Sequence, residues 1–448
     1  MRNSATSRVK SVSRSTSVGV FEDLFWAVEW SVPLIAFCYY FFVVTTFFLT
    51  AADAAIIISL VTLPMQRFPL RFGRANLLFG LFVLWVWITQ TVSVDVLVSF
   101  DAAWLLTKVW VIALVAYNVL RTRAQLRMFF AFSLACFMLF PVRGAFVNYF
   151  GGYDVQGRAL WNFAYSNPND LAAFGILYGT FALVLTSLSR NTLVRLMSFG
   201  SLAVIVLLIL FTQSRGALLA VGGMLVALVI PRLKNPRVLV GAVALGIGAI
   251  MFAPASVWTR LGGLAKITTS ETMELDKERS AEQRFQILQI AAIIASDHPL
   301  TGVGPGAYAI VHREYAAKLV SQFPIAQGAK DAHNTYLRTA AETGYVGLAL
   351  FLSLVISMVA WAFKTLKKSK GSEREILRFL AYGLIAYLAA GFFGSYQYLS
   401  ILYVHLVLIE AMIRDQQDRA TAPAAARRPR RVFLAPTRPV MNPASTPA

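Results

Sequence analysis

The chain has 448 residues, of which 57% are hydrophobic and only 14% charged, and its mean hydropathy is +0.62. A soluble globular protein is nearer half apolar and a quarter charged, so that class is excluded and a polytopic membrane protein is expected. The net charge of +19 does not point to nucleic acid, because the Lys and Arg residues sit between apolar blocks and in the tails. There they face anionic headgroups and set topology.

Residues 1–30 begin "MRNSATSRVKSVSRSTS" and read as a disordered basic tail, without a periodic apolar face or a signal-peptide cleavage pattern. Apolar blocks follow at 31–50, 54–66, 75–91, 103–120, 128–146, 170–188, 196–212, 216–231 and 238–254, within a region 31–254. Three more, at 344–363, 376–392 and 397–413, fill the region 344–413. In a bilayer the backbone must satisfy its own hydrogen bonds, so these blocks predict an all-α protein with about 12 transmembrane helices. Cys38 and Cys136 lie inside apolar blocks and read as small buried hydrophobes. Residues 414–448, rich in Ala, Pro and Arg, read as a second disordered tail.

The cations alternate between connectors. One set carries Arg67, Arg71, Arg74, Arg121, Arg123, Arg127, Arg190, Arg195, Arg232, Lys234, Arg237 and the run from Lys364 to Arg378. The other short connectors hold Arg158 and Arg215, with Arg143 near a membrane edge. By the positive-inside rule both termini are cytoplasmic, and the long segment 255–343 is outside.

A segment that long is expected to fold. "SAEQRFQILQIAAIIASDHP" predicts a helix: Ser280 and Gln283 match a capping box, Phe285, Leu288 and Ala292 mark one face, and Pro299 stops it. "GVGPGAY" is a turn, and a second helix is expected from near His333 into the next span. Of the four histidines, His298 adjoins Pro299, His312 reads as part of a solvated amphipathic segment, and His405 lies within a span. No spacing suggests a metal site. No HExxH, DxD or GxxxxGK[ST] pattern occurs, and no Rossmann strand precedes the GxGxG. No cofactor is therefore expected, and an enzyme on the outer face would need a substrate activated inside and flipped out, such as a polyprenyl-diphosphate sugar.

Three residues on that face invite attention. Arg215, in "TQSRGALL", breaks the charge pattern; it is either a side chain satisfied by headgroups or a fork for a lipid-linked phosphate. Arg284 is either a solvated surface residue or a second cation there. His333 precedes Asn334, which can orient ligands, while Arg338 and Glu342 can pair one turn apart. A transporter is the rival class, but Lys108 is the main charge deep in a span, with Asp53 and Asp101 near interfaces.

"FTQSRGALLAVGGMLVALVI", "RFQILQIAAIIASDHPLTGVGPGAY", "HNTYLRTAAETGYVGLALFL" and "YSNPNDLAAF" together resemble the O-antigen ligase and polymerase superfamily of bacterial envelope enzymes. The resemblance covers about residues 155–363 and implies a C-type glycosyltransferase fold with a large periplasmic loop. It implies transfer of a glycan from undecaprenyl diphosphate at the periplasmic face of the inner membrane, without nucleotide sugar or metal. The acceptor is lipid A-core for a ligase, the leading reading, or a growing O-antigen or exopolysaccharide chain for a polymerase. The family's two arginines and histidine correspond to Arg215, Arg284 and His333 as catalytic residues. Arg158, Asn169, Asn334 and Arg338 are further expected substrate contacts on the same face.

Overall fold

The computed structural model describes residues 19–47, 51–66, 68–252 and 280–421. The distal parts of both expected tails and the first part of the loop lie outside these residues. The described chain is helical, with one isolated bridge between Val155 and Arg158.

In chain order the helices are α1 Val32–Thr46, α2 Ala52–Thr62, α3 Arg74–Gln90, α4 Val96–Val119, α5 Arg123–Phe137 and α6 Arg143–Phe150. There follow α7 Pro168–Leu188, α8 Thr192–Thr212, α9 Arg215–Val229, α10 Pro236–Phe252, α11 Ser280–Asp297 and α12 Tyr308–Lys318. The last are α13 Thr335–Leu366, α14 Gly371–Ala390 and α15 Ser400–Thr421. Among the described residues six stretches are long and apolar enough to cross a membrane: Val96–Val119, Arg123–Phe150, Pro168–Leu188, Thr192–Thr212, Arg215–Arg232 and Thr335–Leu366. Shorter apolar helices cover Val32–Thr46, Ala52–Met65 and Arg74–Gln90. α5 and α6 are continuous through a π turn at Met138–Val142 that contains Pro141, the usual way a helix absorbs a missing amide.

Lipid tails are as apolar as leucine, so the bundle is held by close packing rather than by escape from water. A Cβ on Gly383 of α14 would lie 2.1 Å from the Thr180 side chain of α7, and Phe137 stacks on Tyr178 at 4.0 Å. Lys108 is paired with Asp53 at 3.2 Å.

The connectors sort into two ends. At one, Val94 N donates to Val303 O (3.1 Å), Phe47 stacks on Phe163 (4.6 Å), and Thr335 N donates to Gly391 O (2.8 Å). At the other, Arg71 N donates to Asn118 Oδ1 (3.0 Å), and Glu410 accepts from the amides of Arg74 and Ala75. Arg123 there pairs with Glu373 (2.9 Å) and Asp415 (3.4 Å). This division follows the alternation of Lys and Arg in the sequence.

Residues next to the tails are more structured than expected. Buried Asp23 accepts from Ser189 Oγ and the Arg190 amide and pairs with Arg127. At the other terminus α15 continues to Thr421, with Arg414 buried. Polar anchoring, invisible to apolar periodicity, extends both ends.

The described part of the loop has its own core, made by Ile287, Ile290, Ala291, Ile294 and Ala295 of α11 with Tyr308 and Val311 of α12 and Ala340 and Ala341 of α13. The apolar face marked by Phe285, Leu288 and Ala292 is not the buried one; Phe285 is 52% exposed. α11 carries two apolar stripes, and among the described residues the one through Ile287, Ala291 and Ile294 is the one packed in the lobe core. His312, expected in a solvated segment, is fully buried, with Nδ1 3.0 Å from Gly328 O. Its polar neighbours in sequence point outward while it faces the lobe. α13 is broken at Gly344 (φ 69°, ψ 178°), where Leu300–Thr301 crosses and Pro299 O accepts from Tyr345 N at 2.7 Å. Only glycine tolerates that backbone, so the helix that starts beside His333 does not run unbroken into the span.

Candidate functional site

At the end opposite Glu410, four segments converge: the α6–α7 connector, the α8–α9 hinge, the chain before α13 and the α14–α15 connector. A tight turn in which Gly157 N donates to Asp154 Oδ1 (2.6 Å) sets up Arg158. Arg158 then donates through Nε to Thr212 O (2.8 Å) and through Nη2 to Asn169 Oδ1 (2.8 Å). Gln213 Nε2, donating to Gly157 O (2.6 Å), fastens the turn to the hinge. On the far side Thr335 Oγ1 donates to Gly394 O (2.7 Å) and accepts from Tyr396 N (2.9 Å), while Tyr396 Oη donates to Asn169 O (3.2 Å).

His333 stands between these segments. Its φ of 48° places a non-glycine residue in the left-handed region, an outlier worth a functional hypothesis. Asp331 holds that conformation: its Oδ2 accepts from His333 N (3.1 Å) and Ser395 Oγ (2.8 Å) and lies 3.5 Å from His333 Nδ1. The imidazole is 30% exposed. Burial pushes its pKa below the ordinary 6.5; Asp331 opposes this, and the Arg284, Arg338 and Arg158 guanidiniums add to it. At neutral pH the ring is therefore uncharged and able to accept a proton.

Arg158, Arg284, Arg338 and His333 thus share one electrostatic neighbourhood. The same surroundings act on Tyr396, whose hydroxyl burial pushes up, with Asp170 and Asp331 adding and Arg284 and Arg158 opposing. Arg215 opens the first turn of α9. It follows the hinge that holds Arg158, and the next residue, Gly216, packs where a Cβ would meet Phe393.

The remaining expected contacts have structural occupations. Arg338 donates to Asp331 (2.7 Å) and Glu342 (2.8 Å), and Glu342 also accepts from Tyr398 Oη (2.6 Å). Asn334 caps α13, its Oδ1 accepting from Tyr336 N (3.0 Å) and Leu337 N (2.9 Å), and its Nδ2 donates to Phe392 O (3.3 Å). Asn169 orients Arg158. Asp331, Asp170, Ser395, Tyr396 and Tyr398 were not picked out from the sequence. Only Asp331 left a local signal, an Asp two residues before a residue whose amide it can accept.

Residues 200–352 match a family model described as O-antigen ligase. Over that segment the chain is similar to the O-antigen ligase family. It contains Arg215, Arg284, His333, Asn334 and Arg338, while Arg158 and Asn169 precede it. No curated protein matches the chain. Among the described residues no group of three His, Cys, Asp or Glu side chains is disposed to hold a metal.

Proposed function

We propose that this protein transfers a glycan from undecaprenyl diphosphate to lipid A-core at the periplasmic face of the bacterial inner membrane. The observation that carries it is a partly open imidazole beside Asp331, its pKa lowered by burial and by Arg284, Arg338 and Arg158, within a membrane protein similar to the O-antigen ligase family. Asp331 faces Nδ1, which leaves Nε2 to take the proton of the acceptor hydroxyl. That oxygen bonds to the anomeric carbon as the bond to the diphosphate breaks. The departing diphosphate gathers negative charge, which guanidiniums stabilise through forked hydrogen bonds without a metal. Arg284 and Arg158, with Arg215 at the hinge, are assigned to the diphosphate.

Deletion of the gene tests this reading. Loss of all capped lipopolysaccharide with accumulation of lipid-linked polymer is the expected result. A cap of a single repeat, or missing exopolysaccharide, would instead assign a polymerase.

A further inference from the structure

The opposite end of the bundle holds a cavity of about 780 Å³ to which the glycan chemistry gives no role. Arg71, Arg121 and Arg414 line it, with Trp30, Phe68 and Gln66. Three guanidiniums converging on one space repel one another unless an anion joins them. Here the repulsion registers: burial lowers the Arg121 pKa, and Arg414 and Arg71 lower it further, against a smaller opposing effect of Tyr117, while Glu410 offsets part of the Arg414 charge from the bundle side. Glu29 and Asp418 also line the cavity, but both are exposed.

Donors remain available. Arg121 donates through Nε to Asn118 O (2.7 Å) and through Nη2 to Pro69 O (2.9 Å) and Asn118 Oδ1 (3.2 Å), which leaves Nη1. Arg414 donates to Tyr117 O and Leu120 O, both at 2.8 Å, and lies over the Tyr117 ring at 4.4 Å. Gln66 Nε2 is buried without a hydrogen-bond partner among the described residues. The apolar part of the lining is open as well: Trp30 is 52%, Val32 57%, Met65 78% and Phe68 51% exposed. Cations beside exposed aromatic and aliphatic side chains at the ends of membrane helices suit a phosphate whose acyl chains continue into the bilayer.

We propose that this cavity is a binding site for the headgroup of an anionic glycerophospholipid. The phosphate would sit among Arg71, Arg121 and Arg414, with Gln66 as a further donor and the acyl chains against Val32, Met65 and Phe68. The site is separate from the one around His333, so its failure would leave the glycan-transfer reading intact.

The test is native mass spectrometry and thermal unfolding of the purified full chain in detergent, titrated with phosphatidylglycerol, phosphatidylcholine or glycerol phosphate. Wild-type protein is expected to retain one phosphatidylglycerol and to gain unfolding temperature from it, and to respond weakly to the other two. Arg71→Glu reverses a charge whose side chain is exposed and outside the bundle core. It is expected to weaken phosphatidylglycerol retention by about tenfold, while Arg190→Gln, at the same end but outside the cavity, changes nothing. Equal retention of phosphatidylcholine, full retention in Arg71→Glu, or stabilisation by glycerol phosphate as strong as by the lipid would each overturn the proposal.

Discussion

Asp331 grips His333 twice, accepting its backbone amide at 3.1 Å and facing its Nδ1 at 3.5 Å. The carboxylate fixes both the left-handed backbone and the ring nitrogen left open, which is how a histidine is prepared as a base. His333→Ala is therefore expected to accumulate normally and to lose transfer by about 100-fold or more. Complementation of the deletion strain, with protein level checked by immunoblot, reads this out. Near wild-type product at equal abundance would remove His333 from the site.

The same pair sets a pH dependence. Burial and three guanidiniums lower the imidazole pKa below 6.5, and Asp331 is the charge that raises it. The active, uncharged ring is lost as pH falls through the lowered value, so the acid limb of kcat/KM is expected below pH 6.5. Asp331→Asn removes the opposing charge and should move that limb further down while lowering kcat. Stability follows the same sign, since the folded state binds fewer protons than the unfolded one. The contribution is present above 6.5 and lost as pH falls through the folded value. A limb that moves upward in Asp331→Asn would contradict this account of the pair.

Arg284→Lys and Arg215→Lys are each expected to lose most transfer, about 100-fold, because an ammonium cannot reproduce the fork that pairs with a diphosphate. Arg158→Lys should also lose bonds to Thr212 O and Asn169 Oδ1. It is therefore expected to combine weaker transfer with a lower unfolding temperature. Activity of the purified enzyme should survive EDTA. Abolition by EDTA with rescue by Mg2+ would refute the metal-free mechanism.

What the sequence made legible depended on which force leaves a local trace. Helices at the apolar blocks follow from length and backbone satisfaction, and their alternation of ends follows from Lys and Arg. His333 and Arg284 are proposed as site residues through family resemblance, because neither residue is distinctive by itself. The burial of His312 was not legible, since the partner that receives its Nδ1, Gly328, lies outside its helix. Nor was the choice between the two apolar stripes of α11, which the packing of α12 and α13 decides among the described residues. Asp170 and Tyr396 reach the site from helices and connectors distant in sequence, where no periodicity marks them.

Two stability effects follow from the loop lobe. His312→Ala deprives Gly328 O of its partner and opens space in a closed core, at a cost of about 2 kcal/mol. Gly344→Ala places a Cβ 2.0 Å from Leu300 O on a backbone that only glycine adopts freely, at a cost of about 2 kcal/mol or more. Both variants should melt at lower temperature in detergent and accumulate less. Wild-type melting of Gly344→Ala would show that Leu300–Thr301 does not cross the kink.

The orientation proposed from Lys and Arg is open to labelling, and the choice of probe matters. Ser321 is exposed in the loop lobe, so a cysteine there is a fair reporter for that end. Ser369 lies at the other end but is buried, its Oγ donating to Thr365 O (2.9 Å) and Gln416 Oε1 (2.7 Å). A cysteine at Ser369 would stay silent whichever side it faced. Lys367 is exposed beside it and serves instead. Background is low, because the native thiols Cys38 and Cys136 are both buried. In cells with a permeabilised outer membrane, an impermeant thiol reagent is expected to label Ser321→Cys and to spare Lys367→Cys until the inner membrane is also opened. Equal labelling of the two in intact inner membranes would reverse the orientation and place Arg284 and His333 on the cytoplasmic side, away from the proposed donor.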